Sequence, residues 1–382
     1  MPAIPQSVDA VVIGAGPGGL AAAAELAKAG FGVVVFEATD RVGSSWSRHY
    51  DRLHLHTARR LSSLPGTMIP ASKGQWVSRD DFLAYLSDYA VAHDLDVRLG
   101  VSAVEVQHDG AQWSVAWKHG TSGGTIRAAV IVVATGYNHT AFVPDWPGLS
   151  SFTGHVIHSS EYRNAAELGA TNVLVVGTGN SGAEIAADLA EAGVTVMLSV
   201  RTPPNIVPRA VVGIPNQYLV LSISPLPTRA RDVISGLLQK LVIGDLSKYG
   251  IAKAPRGIVT QMERDDVTPT IDVGLIKALK ARTVTVVPSV DRIADATVHL
   301  SDGSTLAPHA IVVATGYRRG LEGLVGSLDV LGDKGRPRVN ADEQLAEHPG
   351  LYFLGYSNPI SGNIRQLKID ARKLARDARR RR

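Results

Sequence analysis

Ala10-Val11-Val12-Ile13-Gly14-Ala15-Gly16-Pro17-Gly18-Gly19 is the stretch that decides the fold. Its first four residues are apolar and mostly β-branched, which reads as a buried strand. Leu20 to Ala29 is alanine-rich and reads as a helix. Strand, glycine turn and helix in that order form the fingerprint of a dinucleotide-binding unit. Gly14 permits the turn, Gly16 leaves room for a pyrophosphate to approach the backbone, and Gly19 lets helix and strand pack closely. Pro17 and Gly18 complete the turn. A pyrophosphate placed there meets the free N–H groups and the positive end of the helix dipole. A second strand, Gly32 to Phe36, leads into Glu37, at about the spacing expected of a ribose-binding acid. Arg41, Ser45 and Trp46 follow in a Gly/Ser-containing loop suited to close approach of the same ligand.

A second unit of the same kind follows along the chain. Asp80 to Ala92 is expected to be an amphipathic helix, with Phe82, Tyr85, Leu86 and Tyr89 on one side and Ser78 as its N-cap. Val101 to Val106 and Trp113 to Trp117 alternate like antiparallel strands, with a turn expected at Gly123-Gly124. Ala129 to Val133 is a buried strand that ends in Ala134-Thr135-Gly136-Tyr137. Strand Asn172 to Val176, turn Gly177-Thr178-Gly179-Asn180-Ser181-Gly182 and helix Ala183 to Ala192 then repeat the opening motif. The next strand ends in Ser199-Val200-Arg201, without an acid. An arginine there attracts a ribose 2′-phosphate that a carboxylate would repel, so the second ligand is expected to be NADP(H). Ala310 to Val313 followed by Ala314-Thr315-Gly316-Tyr317 repeats the earlier Ala-Thr-Gly-Tyr element. Leu351 to Gly355 is read as a last strand and Gly362 to Ala378 as a last helix.

The expected fold class is α/β with two Rossmann-like units, the second inserted in the first, and small antiparallel insertions. Residues 1–150 and 305–382 are assigned to an FAD-binding domain and 151–304 to an NADPH-binding domain. Within the latter, 203–270 is either a cap over the substrate or a packing excursion. Bulk properties agree with a globular enzyme. The chain has 382 residues, 19% of them charged, a net charge of +4 and no cysteine. Without cysteine there is no disulfide, thiolate nucleophile or dithiol relay. No apolar run is long enough for a membrane span, and no signal-peptide pattern is visible. A cytoplasmic protein without membrane or nucleic-acid partner is expected, with a homodimer left open. The arginines 379–382 read as a solvated, frayed tail.

Two dinucleotide units, one with an acid and one with an arginine, suit a protein that brings FAD and NADPH together. Phe152-x-Gly154-x-x-x-His158-x-x-x-Tyr162, just ahead of the second glycine turn, resembles the fingerprint of the class B flavoprotein monooxygenases. Tyr50-Asp51-Arg52-Leu53-His54-Leu55-His56, Leu64-Pro65, Val200-Arg201 and Pro208-Arg209 are similar to the YUCCA group of flavin-containing monooxygenases within that class. The resemblance implies an enzyme that reduces FAD with NADPH, forms a flavin C4a-(hydro)peroxide with O2 and inserts one oxygen atom into a small organic substrate. NADP+ then stays bound to shield the oxidant from water. Heteroatom oxygenation, Baeyer–Villiger-type insertion and oxidative decarboxylation of an α-keto acid all fit, the last with Arg59, Arg60 or Arg209 as carboxylate partner. An asparagine that the family often carries near the flavin is absent from His56-Thr57-Ala58, which leaves Thr57 as a candidate for its place. His158 is either a hydrogen-bonding link between domains or a satisfied structural histidine, while Thr135 and Thr315 are expected to shape turns. The alternatives are an NADPH oxidase that releases hydrogen peroxide and a non-enzymatic flavin redox sensor.

Overall fold

The computed structural model describes residues 3–357 and 359–382. The chain separates into two compact units, one made of Met1–Ser47, Thr57–Thr140 and Tyr317–Arg382, the other of Arg48–His56 and Ala141–Gly316.

The first unit is built on a seven-stranded sheet. Strands Asp96–Leu99, Val33–Glu37, Ser7–Ile13 and Ser122–Val133 run parallel, and Leu351–Phe353 adds to the last of them. Ala10 to Ile13 is apolar without alternation because both faces of the strand are covered, by helix Pro17–Lys28 and by a cluster that holds Val106, Trp113 and Val115, and all four residues are buried. Strand Ser122–Val133 serves two partners. Its second half pairs with Ser7–Ile13, and its first half pairs antiparallel with Trp113–His119, which pairs in turn with Ser102–His108. The expected antiparallel insertion is therefore present. The turn expected at Gly123-Gly124 is not: both glycines lie in the strand. Gly124 is needed there because a Cβ would come 2.9 Å from the Trp117 ring.

Helix Pro17–Lys28 buries Leu20 to Ala24 and Leu26 against the sheet, and the long helix Asn363–Arg381 packs beside it. Burial of each leucine is worth roughly 1.5–3 kcal/mol. Helix Arg79–Ala92 starts at Ser78, whose hydroxyl accepts from the Asp81 N–H at 3.1 Å, and buries Phe82, Tyr85, Leu86 and Tyr89 as the spacing predicts. The C-terminal arginines are not frayed. The helix runs to Arg381, which pairs with Asp377 one turn back at 2.8 Å. Arg382 donates to the Gly30 carbonyl at 2.9 Å and pairs with Asp9 at 3.5 Å.

The second unit is built on a five-stranded parallel sheet, in the order Val284–Val287, Thr195–Ser199, Asn172–Val176, Ala310–Val313, His155–His158. Because Ala310–Val313 lies inside this sheet, residues 305–316 belong with the second unit and not with the first, as the sequence reading had it. Between the strands Ile206–Pro208 and Thr270–Asp272, which pair parallel, lie three α-helices, Asn216–Ile223, Thr228–Val242 and Ile258–Asp265. Pro215 and Pro227 sit at the starts of the first two, where a missing N–H costs nothing. No helix of the described residues is long and apolar enough to cross a membrane.

Candidate nucleotide sites

The two glycine turns are near copies. Gly14 has φ +108° and its N–H donates to the Phe36 carbonyl at 2.7 Å; Gly177 has φ +107° and donates to the Ser199 carbonyl at 3.2 Å. A Cβ on Gly14 would lie 2.5 Å from the Ala134 carbonyl oxygen, and one on Gly177 would lie 2.4 Å from that of Ala314. Gly19 and Gly182 are tighter still: a Cβ would come 1.8 Å from the Gly14 oxygen and 2.0 Å from the Gly177 oxygen. These four positions are closed by backbone and admit glycine only. Gly16 and Gly179 differ. Each is the N-cap of its helix with no side-chain cap, and a Cβ there would meet nothing within 4 Å. Open space beside uncapped N–H groups at the positive end of a helix is what an anionic pyrophosphate requires. The residues present thus fit a dinucleotide at each turn. Gly18 faces elsewhere: its Cβ direction points to Leu367 of the C-terminal helix, so it serves packing.

The chain beyond each second strand separates the two turns. Glu37 is buried and held by four hydrogen bonds, one on Oε2 and three on Oε1. One carboxylate oxygen accepts from the Ala15 N–H at 2.9 Å; the other accepts from the Thr39 N–H and hydroxyl and from the Ser44 hydroxyl at 2.8–3.1 Å. The acid is therefore oriented by the turn itself. Arg41 pairs with Asp40, Ser45 is exposed, and Trp46 packs edge-on against Phe82 with ring centroids 4.7 Å apart. In the second unit the Ser199 carbonyl occupies the place of Phe36, so Val200 takes the position of Glu37 and Arg201 follows one residue later. Arg201 is exposed and has no hydrogen bond or ion pair among the described residues. Asn180 uses its side-chain oxygen to accept from the Ile271 N–H at 2.7 Å, and the Thr270 hydroxyl donates to the Thr178 carbonyl, which fixes the second turn. Ser181 is half-buried in the first turn of helix Asn180–Glu191.

The Ala-Thr-Gly elements complete both sites. Gly136 and Gly316 have φ +100° and +88°, with open space around each. Thr135 shares a hydrogen bond with the Tyr356 hydroxyl at 2.9 Å, and burial pushes that phenol up to about 12. The Thr315 hydroxyl donates to the Phe142 carbonyl. Both threonines thus shape turns. His158 is also structural. Its Nδ1 accepts from the Ser160 N–H at 3.1 Å, which leaves Nε2 to donate to the Gly316 carbonyl at 3.1 Å. Burial lowers its pKa, and the neutral ring braces the second Ala-Thr-Gly turn within its own unit. Thr57 lies 2.7 Å from the Ser62 hydroxyl, in a local turn. Among the arginines weighed as carboxylate partners, Arg59 donates to the Gly74 and Ile69 carbonyls and Arg209 to the Leu55 carbonyl. Burial draws the Arg209 guanidinium down to about 10. Arg60 is exposed.

A polar row missed in the sequence lies behind the second turn. Glu184, Asp188 and Glu191 share one face of helix Asn180–Glu191. Buried Glu184 accepts from the Tyr50 hydroxyl at 2.8 Å and from His56 at 3.1 Å. Arg52 reaches Asp188 and Glu191, and the Tyr162 hydroxyl donates to Asp188 at 2.6 Å. Burial, reinforced by Glu184, raises the Tyr50 pKa well above the usual phenol range. The signal available was the i, i+4, i+7 spacing of three acids in a helix otherwise rich in alanine.

Residues 11–210 match the family described as pyridine nucleotide-disulphide oxidoreductase. The chain is 33% identical over 352 residues to indole-3-pyruvate monooxygenase YUCCA1 of Oryza sativa subsp. japonica, covering 91% of this chain and 86% of that protein. It is 32% identical over 374 residues to the probable indole-3-pyruvate monooxygenase YUCCA9 of Arabidopsis thaliana, with 96% and 88% covered. Among solved structures it is similar to a flavin-containing monooxygenase from Stenotrophomonas maltophilia, at 26% identity and TM-score 0.74 over 98% of both chains. With paired dinucleotide turns, a buried acid after one and an exposed arginine after the other, the chain belongs to the class B flavin-containing monooxygenases, NADPH-dependent enzymes that carry FAD.

Proposed function

We propose that the first turn holds FAD and the second NADPH, and that the substrate is a small α-keto acid of the indole-3-pyruvate kind. In this reading Gly14, Gly16, Gly19 and Glu37 seat the FAD pyrophosphate and ribose, with Arg41, Ser45, Trp46, Thr135 and Gly136 beside it. Gly177, Gly179, Asn180, Ser181 and Gly182 seat the NADPH pyrophosphate, Thr315 and Gly316 border it, and Arg201 takes the 2′-phosphate. When bound and reduced, the flavin supplies the activation of O2. The protein's own residues bind, orient and exclude water: uncapped N–H groups meet the phosphates, and the Glu37 carboxylate offers its remaining lone pairs to ribose hydroxyls. Electrons from NADPH reduce one oxygen atom to water, while the α-keto acid gains the other and loses CO2. Arg60 is the residue we assign to the substrate carboxylate, since Arg59 and Arg209 serve the backbone. The 203–270 insertion contributes substrate contacts, and the enzyme works in the cytoplasm.

The observation that carries this reading is the exposed Arg201, placed one residue past the position an acid would take. A charge-assisted contact to a phosphate is worth roughly 1.5–3 kcal/mol. Arg201→Gln should therefore raise KM for NADPH roughly 10- to 100-fold and leave kcat/KM with NADH unchanged; equal losses with both coenzymes would refute the assignment. Product analysis on an α-keto acid, a ketone and a thioether, scored beside hydrogen peroxide per NADPH, tests the substrate. Peroxide with every compound would favour the oxidase reading.

A further inference from the structure

His56 ends the segment Arg48–His56, and its chain neighbour Thr57 already belongs to the first unit. Its ring is tied to the helix that starts at the second glycine turn. Nε2 lies 3.1 Å from Oε2 of Glu184, which is four residues past Asn180, about 6 Å along the helix axis. Glu184 is 3% exposed, and the same oxygen accepts from the Tyr50 hydroxyl at 2.8 Å. A buried carboxylate is tolerated when donors face it, so Nε2 carries the hydrogen of this contact. Nδ1 is left with its lone pair, and it has no hydrogen-bond partner among the described residues. The side chain is 15% exposed, so solvent reaches it. An imidazole oriented by a buried carboxylate, with its second nitrogen open, is the arrangement of a proton-transfer group. His54 lacks it: that ring is exposed and its Nδ1 bonds the Arg52 carbonyl at 2.8 Å. His158 lacks it too, since both of its ring nitrogens are engaged.

We propose that His56 supplies the proton that the oxygenation consumes, on the reading of the reaction given above. A hydride from NADPH, O2, the α-keto acid anion and one proton give NADP+, the shortened carboxylate, CO2 and water. The O–O bond breaks, one oxygen bonds to the keto carbon, and the bond from that carbon to the carboxylate breaks. The hydride supplies the electron pair, and the oxygen that leaves as water needs the proton. Solvent protonates Nδ1, Glu184 holds the imidazolium, and Nδ1 passes the proton to that oxygen. Glu184 acts through His56 and is a positioning residue. The other charges near the pair are two arginines. Arg209 donates to the Leu55 carbonyl and lies in the field of Glu184, and Arg52 is held by Asp188 and Glu191. Both disfavour an imidazolium, and Glu184 is the group that favours it. Tyr50, its phenol pushed well above the usual range, stays a neutral donor.

His56→Gln keeps a donor for Glu184 but cannot carry a proton. The flavin-loaded variant should melt like the wild type and, without O2, reduce its flavin with NADPH at the wild-type rate. Under O2, with whichever substrate the wild type accepts, its NADPH oxidation should fall about 100-fold, and added imidazole should restore part of the loss. Glu184→Gln keeps hydrogen bonds but not the charge. In that variant the alkaline fall in turnover should move to lower pH, whereas His56→Gln should abolish the fall. Nitrogen-15 spectra of the flavin-loaded wild type at alkaline pH should show the His56 hydrogen on Nε2, the signal being assigned by its absence from His56→Gln. A wild type that makes only a sulfoxide or only peroxide overturns the substrate assignment and leaves this test standing, because NADPH oxidation by O2 takes up one proton in each case. Undiminished turnover in His56→Gln, an equal loss in the step without O2, a loss that imidazole leaves unchanged, or a hydrogen on Nδ1 would overturn the role of His56.

Discussion

At the scale of the residue, the glycines of one turn have opposite duties. Gly19→Ala places a Cβ 1.8 Å from a backbone oxygen that cannot move aside. Overpacking of this sort costs about 1–3 kcal/mol or more, so the variant should melt at a clearly lower temperature in scanning calorimetry. Gly16→Ala meets open space; it should melt like the wild-type apoprotein yet hold flavin at least about tenfold more weakly. His158 gives a pH prediction. Burial lowers its pKa below that of the unfolded chain, so the unfolded state binds the proton more readily. The neutral ring's contribution is complete above about pH 6.5 and is lost as pH falls from there toward the lower folded value. Thermal stability should decline across that window, and His158→Gln should flatten the decline. The twin turns, Glu37 and the Ser78 cap were legible because each is a local pattern with a local cause. The place of Val200 was not, since only the register of the strands shows that Arg201 stands one residue past it.

At the scale of the element, the segment 48–56 and helix Asn180–Glu191 hold each other through buried polar contacts. Glu184→Ala leaves the Tyr50 hydroxyl buried without its carboxylate, at a cost of about 1–3 kcal/mol. Tyr50→Phe should cost less, and the double variant should cost less than the sum of the two, as urea unfolding would show. Additive losses would mean that the two side chains act independently. This coupling was illegible because Tyr50 and Glu184 are 134 positions apart, and hydrophobic periodicity reports only what a segment does to its own neighbours. The helices of 203–270 were less legible because several prolines make the segment irregular, yet Pro215 and Pro227 mark helix starts. The fingerprint residues also acquire a physical meaning here. The Phe152 ring packs over Gly154, whose Cβ would lie 2.7 Å from it, His158 braces Gly316, and Tyr162 holds Asp188. All three pairs lie within the second unit.

At the scale of the whole molecule, the family description includes disulphide oxidoreductases, and a chain without cysteine has no thiol with which to do that chemistry. The shared feature is the pair of nucleotide frames, and function diverges with what stands between flavin and substrate. The terminal arginines sit outside that machinery. Arg382 contacts Asp9 and Gly30 at the surface of the first unit, and exposed pairs of this type contribute about 0–1 kcal/mol. Removal of residues 379–382 should leave NADPH turnover intact and lower the melting temperature only slightly; a large loss of turnover would show that the tail takes part in the enzyme's work.

The likeness of the two turns gives the molecule an internal control. One and the same alanine replacement can be made at Gly16 or at Gly179, in matched surroundings within one polypeptide. The first should bleach the yellow colour of the purified protein. The second should leave the colour and abolish only its fading when reduced coenzyme is added. Each change thereby serves as the blank for the other.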